Sequence, residues 1–144
     1  ALAKYNQDFG TFPLSSSDGK IMACINPNEN LKKDKKGRFI VNFIPCEWGK
    51  DALRDVTDPN FLPYLKVIPQ DIDKDKGLSY IYFSNGRRFQ LYAFLEGKDE
   101  DEYSQAIEKR GIYCGTRICN FGKASGVTPL DKSIEEYENG LEKK

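Results

Sequence analysis

The sequence predicts an α+β domain in which the end of a long N-terminal helix packs on an antiparallel sheet of three to four strands. A disulfide-bounded C-terminal region follows the sheet. Three observations predict this class: helical spacing of apolar residues at the N-terminus, an Asn-Gly pair between two strand-like runs, and four cysteines. The chain has 144 residues, a usual size for one domain, so we assign 1–144 to a single globular head whose C-terminal region is 98–144.

Residues 1–9 show the spacing of an amphipathic helix, because Leu2, Tyr5 and Phe9 recur at intervals of three and four. Gly10 follows directly and is typical of a helix C-terminus. No N-cap residue precedes Leu2, which indicates the last turns of a longer helix. Pro13 then predicts an extended segment, since proline restricts the residue before it to β or polyproline geometry.

The next part of the chain predicts short strands joined by exposed connections. Residues 21–25 and 38–44 are strand-like, the second run being rich in aromatic and β-branched side chains. The connection between them, 26–37, is polar and should be exposed. Residues 48–56 predict a short helix.

A hairpin is the clearest local signal. Asn85-Gly86 separates the strand-like runs 78–84 and 87–95 and favours a type I′ turn with positive φ at both residues. Strand alternation predicts a core face with Phe89, Leu91, Ala93 and Leu95, and an opposite face with Gln90, Tyr92 and Phe94. The opposite face is only partly polar, so we expect a loop or a partner to cover part of it.

Two helices are predicted in the C-terminal region. Residues 99–110 begin with acidic side chains and end with basic ones, an order that suits the helix dipole. The buried side of this first helix is expected to carry Tyr103, Ala106 and Ile107. A second helix should start at Thr128 as N-cap with Pro129 in the first position. Its apolar side would carry Leu130, Ile134, Tyr137 and Leu141.

Four cysteines in a small domain favour two disulfides. Of three possible pairings, the sequence separations favour Cys24–Cys46 and Cys114–Cys119, the latter around a turn that Gly115 allows. A four-thiolate zinc site and free buried thiols are the alternatives, although the two-residue spacer usual for zinc is absent. Disulfides would indicate an extracytoplasmic, oxidising compartment.

The charge and composition exclude several functions. There are 22 basic and 22 acidic side chains and no histidine, which removes Ser-His, Cys-His and His-ligated metal chemistry. The one basic run is interpreted as a solvated loop, so no direct nucleic-acid contact is expected; it comprises Lys32, Lys33, Lys35, Lys36 and Arg38. The acidic run 99–102 fits a helix start better than a catalytic pair. We therefore predict no enzymatic activity, no catalytic residue and no cofactor.

Three aspartates before the hairpin are spaced like ligands of calcium. Asp71, Asp73 and Asp75 alternate like the start of an EF-hand loop, but Lys76 and Tyr82 stand where that loop requires Gly and Glu. The two interpretations are a calcium site on these three carboxylates and a solvated turn before the hairpin. The solvated turn is the preferred one.

Three stretches together resemble a known family. The run from Tyr5 through Gly10 to Phe12-Pro13 resembles the point in type IV pilins and type II secretion pseudopilins where the long N-terminal helix ends. Residues 64–71 are similar to that family's Leu-Pro-x-Asp-Pro element, with Ile72 in place of the second Pro. Residues 80–82 and 89–96 are similar to its paired strands, which commonly end in Leu-Glu. The resemblance spans about 2–97.

The resemblance implies a non-enzymatic structural subunit of a type IV pilus or a type II secretion-like filament. Its partners would be other subunits of that filament. The inner membrane would hold it, before assembly, through an N-terminal hydrophobic helix missing from this sequence, and its location would be the cell surface or the periplasm. Region 98–144 would be the variable part of the head. The fold-defining residues would be Tyr5, Gly10, Pro13, Pro69, Tyr82 and Leu91.

Two other classes compete with a filament subunit. A secreted ligand-binding module would hold a sugar on the Tyr-rich hairpin, with Tyr80, Tyr82 and Tyr92, or calcium on the loop 71–75. A small extracellular hydrolase with a carboxylate pair is the third interpretation.

Overall fold

The computed structural model describes residues 1–97 and 101–142 and contains short helices and antiparallel sheets, as an α+β class requires. The predicted single sheet of three to four strands is wrong: within the described residues there are two three-stranded sheets, β1-β2-β5 and β6-β7-β8, and a two-stranded ribbon, β3-β4. The elements are α1 (Leu2–Phe9), β1 (Leu14–Ser15), β2 (Ile21–Cys24), β3 (Lys32–Lys33), β4 (Phe39–Ile40), β5 (Ile44–Pro45), a 3₁₀ turn (Lys74–Lys76), β6 (Ile81–Ser84), β7 (Phe89–Ala93), α2 (Gln105–Glu108), β8 (Phe121–Ala124) and α3 (Ile134–Glu142).

Helix α1 comprises eight residues of this chain. It ends as predicted at Gly10, whose φ of 74° lets its N–H donate to the Asn6 carbonyl. Tyr5 is the buried residue of the helix, and Ala1 at the N-cap makes no side-chain capping hydrogen bond. The amphipathic spacing therefore predicts the helix, and of its three apolar residues Tyr5 is buried, Leu2 is half-buried and Phe9 is exposed.

The predicted strand 38–44 is divided between two sheets. Its first half is β4, which pairs with β3, and its last residue begins β5, which pairs with β2. The connection 26–37 consequently contains a strand of its own. Asn42, a residue depleted in strands, is the one local signal of this division, and the choice of partner strands depends on the rest of the chain.

The predicted helix at 48–56 does not form. The N–H of Leu53 donates to the carbonyl of Leu65 at 3.0 Å, and the Leu65 N–H donates back to Leu53 at 3.1 Å. Leu53 is fully buried. This tertiary pairing takes the backbone groups that a helix would use, so packing overrides the local helical pattern.

The predicted hairpin is present with a different turn. Ser84 pairs with Phe89, and the Asn85 N–H donates to the Arg88 carbonyl, so the two central residues are Gly86 and Arg87. Of these two residues, only Gly86 has a positive φ, which is 90°. A positive φ at the first central position alone is typical of a type II′ turn, not of type I′.

The C-terminal helices start later than predicted. Ser104 caps α2 by accepting from the Ile107 N–H, and Ser133 accepts from the Glu136 N–H at the start of α3. Thr128 is therefore no N-cap; it is buried and hydrogen-bonds Ser125 at 3.1 Å. Of the predicted stripe in 99–110, Ile107 alone is buried, and residues 99 and 100 lie outside the described residues.

Two cores cover the two faces of the β6-β7-β8 sheet. Tyr82 and its cross-strand partner Leu91 belong to the first core, whereas Tyr92 of the same hairpin belongs to the second. Neighbouring strand residues point to opposite faces, so the cores lie on opposite sides. The first core contains Tyr5, Ile21, Ala23, Cys46, Leu53, Ile68 and Tyr82; the second contains Tyr92, Ile107, Cys114 and Cys119.

Both disulfides form in the predicted pairing. Cys24–Cys46 and Cys114–Cys119 each have a Cα–Cα distance of 5.2 Å. Gly115 in the shorter loop has a φ of 82°, and a Cβ there would lie 1.9 Å from the Gly77 carbonyl oxygen. Only glycine fits that position. Two disulfides are typical of proteins that fold in an oxidising environment outside the cytoplasm.

Candidate functional site at the helix–sheet junction

The junction between α1 and the first core is an aromatic cluster. The Tyr5 ring lies 4.6 Å from the Phe9 ring and 5.5 Å from the Tyr64 ring, measured between centroids. Tyr82 of β6 belongs to the same core. Aromatic pairs at these distances add to the free energy gained by burial, so ring packing holds α1 against the segment that carries Tyr64.

The segment after α1 is tied to the hairpin by hydrogen bonds. The Tyr82 hydroxyl donates to the Pro13 carbonyl at 2.8 Å, and the Phe12 N–H donates to the Gly86 carbonyl at 2.8 Å. Burial raises the pKa of Tyr82, so its hydroxyl stays protonated and remains a donor. The exit of the helix is thereby positioned directly on the turn of the hairpin.

A polar contact closes the outer side of the junction. The Tyr64 hydroxyl donates to Asp8 Oδ2 at 2.8 Å, and Lys4 lies 3.4 Å from the other oxygen of that carboxylate. The hydrogen bond from Tyr64, aided by Lys4, lowers the pKa of Asp8. Burial and the bond to Asp8 raise the pKa of Tyr64. Asp8 thus stays an acceptor at neutral pH.

The six residues predicted to define the fold occupy different environments. Tyr5, Pro13 and Tyr82 are buried at the junction, and Leu91 packs half-buried on the same core. Gly10 terminates α1. Pro69 is exposed at the rim of a cavity of about 300 Å³. The structure thus brings five of these residues to one place; their defining role stays a prediction.

That cavity lies beside the start of α1 and is apolar. Leu2 of α1 lines it, together with Trp48, whose ring meets the Tyr80 ring edge-on at 5.8 Å. Trp48 is half-buried and packs on the first core, which includes Cys46. The other residues that line the cavity are Ile21, Leu53, Leu65, Ile68, Pro69, Tyr80, Leu91, Tyr92, Ala93, Phe121 and Lys123.

The tyrosines proposed to hold a sugar do not form an exposed surface. Tyr82 and Tyr92 are both fully buried, and Tyr80 is half-buried against Trp48. Burial raises the pKa of Tyr80 and of Tyr92. These rings therefore serve the interior of the molecule, as cross-strand aromatic residues commonly do.

The three aspartates proposed as calcium ligands do not converge. Asp71 is buried, and its Oδ1 accepts from the Asp73 N–H at 2.8 Å, which is a local turn of the backbone. Asp73 lies 3.9 Å from Lys76. Among residues 1–97 and 101–142 no group of three or more His, Cys, Asp or Glu side chains could hold a metal ion. The sequence hypothesis of a calcium site at Asp71, Asp73 and Asp75 is not supported by this geometry.

The polar groups that hold the C-terminal region on the sheet are not predicted from the sequence. Gln90 is fully buried, and its Nε2 donates to the carbonyls of Pro129 and Lys132 at 2.8 and 2.7 Å. The Tyr92 hydroxyl donates to the Leu130 carbonyl at 2.8 Å. Strand alternation is the one sequence pattern that indicates a role for these side chains, because it places them on a face that needs a cover.

A charged cluster holds α3 on the hairpin turn. Glu138 accepts from Arg87 at 2.6 Å, from Arg88 at 3.2 Å and from the Asn85 side chain at 2.7 Å. The two arginines, chiefly Arg87, lower the pKa of Glu138. Two adjacent arginines after a turn are a visible signal in the sequence, but their partner lies 50 residues further along.

In the part of the chain that the structure describes, no helix has the length and apolar character needed to cross a membrane. Searches of protein-family models, of curated proteins and of solved structures found no match to this chain.

Proposed function

We propose that this chain is the extracytoplasmic head of a pilin-like or pseudopilin subunit, a non-enzymatic building block of a type IV pilus or a type II secretion-like filament. The observation that carries the proposal is the junction of α1 with the sheet. A helix that ends at Gly10 buries Tyr5 on the sheet, and the Pro13 segment is tied to the hairpin by Tyr82. These are the positions on which the resemblance rests.

The geometry of the junction suits an assembly role. Ring packing on the inside and the Asp8–Tyr64 contact on the outside hold α1 firmly against the head. A helix fixed in this way transmits the position of a preceding helical segment to the head. The proposal includes such a segment, a hydrophobic helix that anchors the subunit in the inner membrane and then packs in the filament interior.

The proposed partners are other subunits of the same filament, and the proposed location is the cell surface or the periplasm. Two disulfides support an extracytoplasmic location. The ligand-binding module is not proposed as a second function, because Tyr82 and Tyr92 are buried and the three aspartates of the 71–75 loop do not meet.

The first test is the coding sequence upstream of Ala1, read to its start codon. The proposal expects a short basic leader ending in Gly, then about 20 apolar residues, the length that spans a bilayer, with Glu at the fifth mature position. A cleavable signal peptide that ends directly before Ala1 would contradict it.

The second test uses the natural full-length protein in its source cells. Antibodies raised against this head are applied to sheared surface fractions and viewed by immunogold electron microscopy. We expect label along filaments, and its loss in cells that lack the prepilin peptidase. Free head protein in the medium, unaffected by deletion of the peptidase, would refute the proposal.

A further inference from the structure

The ribbon β3-β4 and its turn, residues 32–40, project from the body of the molecule; we call this segment the basic ribbon. Both residues of β3 and both residues of β4 are exposed. A two-stranded ribbon exposed on both faces gains little by folding alone. Here the turn is reinforced by Asp34, whose Oδ1 accepts from the N–H groups of Lys36 and Arg38, both at 2.9 Å.

The charge of the basic ribbon is unneutralised. Asp34, the one acidic residue, is occupied by the turn and by Arg38 Nε at 3.2 Å. None of the ribbon's four lysines has a carboxylate within 4.0 Å among the described residues. The ribbon carries five basic side chains and one acidic side chain, a net charge of +4, so the rest of this neutral chain carries a net charge of −4.

The same segment exposes large apolar side chains. Ile40 is 51% exposed and Phe39 is 43% exposed. Lys32 pairs with Ile40 and Lys33 with Phe39, so each face of the ribbon carries one cation and one large apolar group. Phe43, just beyond the ribbon, is 39% exposed and adds to this apolar surface.

The basic ribbon has a firm base. The Cys24–Cys46 disulfide joins the two chain segments that lead into and out of it. At the same point the Cys46 N–H donates to the Ile21 carbonyl at 2.8 Å, and β5 pairs with β2. The ribbon is therefore a projection held at its foot by a covalent bond and by the first sheet.

We propose that the basic ribbon docks on an anionic phospholipid bilayer, with Phe39 and Ile40 in the headgroup boundary and the four lysines at the lipid phosphates. Lysine attraction to anionic lipid and burial of apolar side chains act together in such binding. A rigid protein surface contacts one face of a ribbon, whereas a fluid headgroup layer surrounds both faces. Cations and apolar groups on both faces thus favour a bilayer over a second copy of the chain.

The test is cosedimentation of the intact, oxidised chain with vesicles of phosphatidylcholine containing about one-third phosphatidylglycerol. Vesicles of phosphatidylcholine alone are run in parallel. We expect binding to the anionic vesicles at low salt and its loss at high salt, because screening weakens exposed charges. Removing one lysine should lower the partition coefficient about fivefold, so Lys35→Gln with Lys36→Gln should lower it about 25-fold.

A matched control separates the ribbon from general charge. Lys50→Gln with Lys66→Gln removes the same charge from exposed positions outside the ribbon and should leave binding nearly unchanged. Phe39→Ser with Ile40→Ser keeps the charge and should weaken binding. These side chains are exposed, so circular dichroism and thermal melts of all variants should match the parent.

Several outcomes would overturn the proposal. These are equal binding to neutral vesicles, an equal loss in the Lys50/Lys66 control, or no binding to anionic vesicles at low salt. Self-association in sedimentation velocity that the ribbon substitutions abolish would assign the surface to a second copy instead, and binding of an oligonucleotide alone would assign it to nucleic acid. The result stands apart from the filament proposal, since vesicle binding requires neither a leader nor an assembled filament.

Discussion

The two faces of the β6-β7-β8 sheet are stabilised by different means. The first face is covered by ring packing and apolar burial around Tyr5, Tyr82 and Leu91. The second face buries Tyr92 and the polar amide of Gln90, and both side chains donate to carbonyls of the C-terminal region. Packing tolerates a range of shapes, whereas a buried amide requires its partners at fixed positions.

This difference indicates how each side of the head would change. On the first face, a substitution that changes the volume of one side chain disturbs the packing of the whole core. On the second face three hydrogen bonds from Gln90 and Tyr92 fix residues 129–132 over the sheet. Residues 129–132 are therefore attached to the sheet through a few specific contacts, whereas β8 is held by regular pairing with β7.

The largest effect is expected on the first face. Tyr82→Ala removes a fully buried ring, and we expect the free energy of unfolding to fall by about 4 kcal/mol. Tyr82→Phe keeps the ring and removes the hydrogen bond to Pro13, so a loss of about 1 kcal/mol is expected. Urea denaturation measures both. Equal losses would show that the hydrogen bond, not packing, dominates this face.

An intermediate effect is expected on the second face. Gln90→Leu preserves volume but leaves the carbonyls of Pro129 and Lys132 without their donor, at a cost of about 2 kcal/mol. Hydrogen exchange should rise in 128–142 and stay unchanged in 1–24. The control Gln7→Leu, at an exposed position of α1, should alter neither. A uniform rise over the whole chain would mean that the two faces are not separable.

The smallest effect is expected at Glu138. Glu138→Gln weakens the ion pairs with Arg87 and Arg88, and a small fall in melting temperature is expected at neutral pH. The pKa of Glu138 is lowered in the folded state, so its stabilisation is present above the ordinary glutamate pKa of about 4.3 and is lost as the pH falls through the lowered value.

Parent and variant melting temperatures should therefore converge as the pH falls from about 4.3 through the lowered pKa of Glu138. Glu102→Gln, at an exposed position outside the helices, is the matched control and should show no such pH-dependent difference. A difference that persists at low pH would mean that the substitution acts through packing of α3 and not through charge.

Local patterns in the sequence predict the features that local physics determines. The spacing of Leu2, Tyr5 and Phe9 predicts α1 and its buried side, and Gly10 predicts its end. The separations of the cysteines predict both disulfide pairs. Asn85-Gly86 predicts the hairpin but not its register, since Gly86 alone supplies the positive φ that the turn needs.

Distant contacts account for what the sequence does not predict. The run 38–44 is strand-like apart from Arg38 and Asn42, yet its two ends pair with different strands. The face of Gln90 and Tyr92 was expected to need a cover, but no local pattern identifies residues 129–132 as that cover. The aspartates at 71, 73 and 75 have a ligand-like spacing. The Asp71 side chain, however, accepts a hydrogen bond from the backbone N–H of Asp73 and so forms a local turn.

The Cys24–Cys46 disulfide also decides how the head would behave under mechanical load. Tension applied to the two ends of the chain passes through the sulfur–sulfur bond and bypasses the basic ribbon. The bond spans a sequence separation of 22, which corresponds to about 75 Å of extended chain. If the oxidised chain were pulled from its two ends, the residues inside the disulfide loop would not extend. The ribbon would then retain its shape while the surrounding sheets separated.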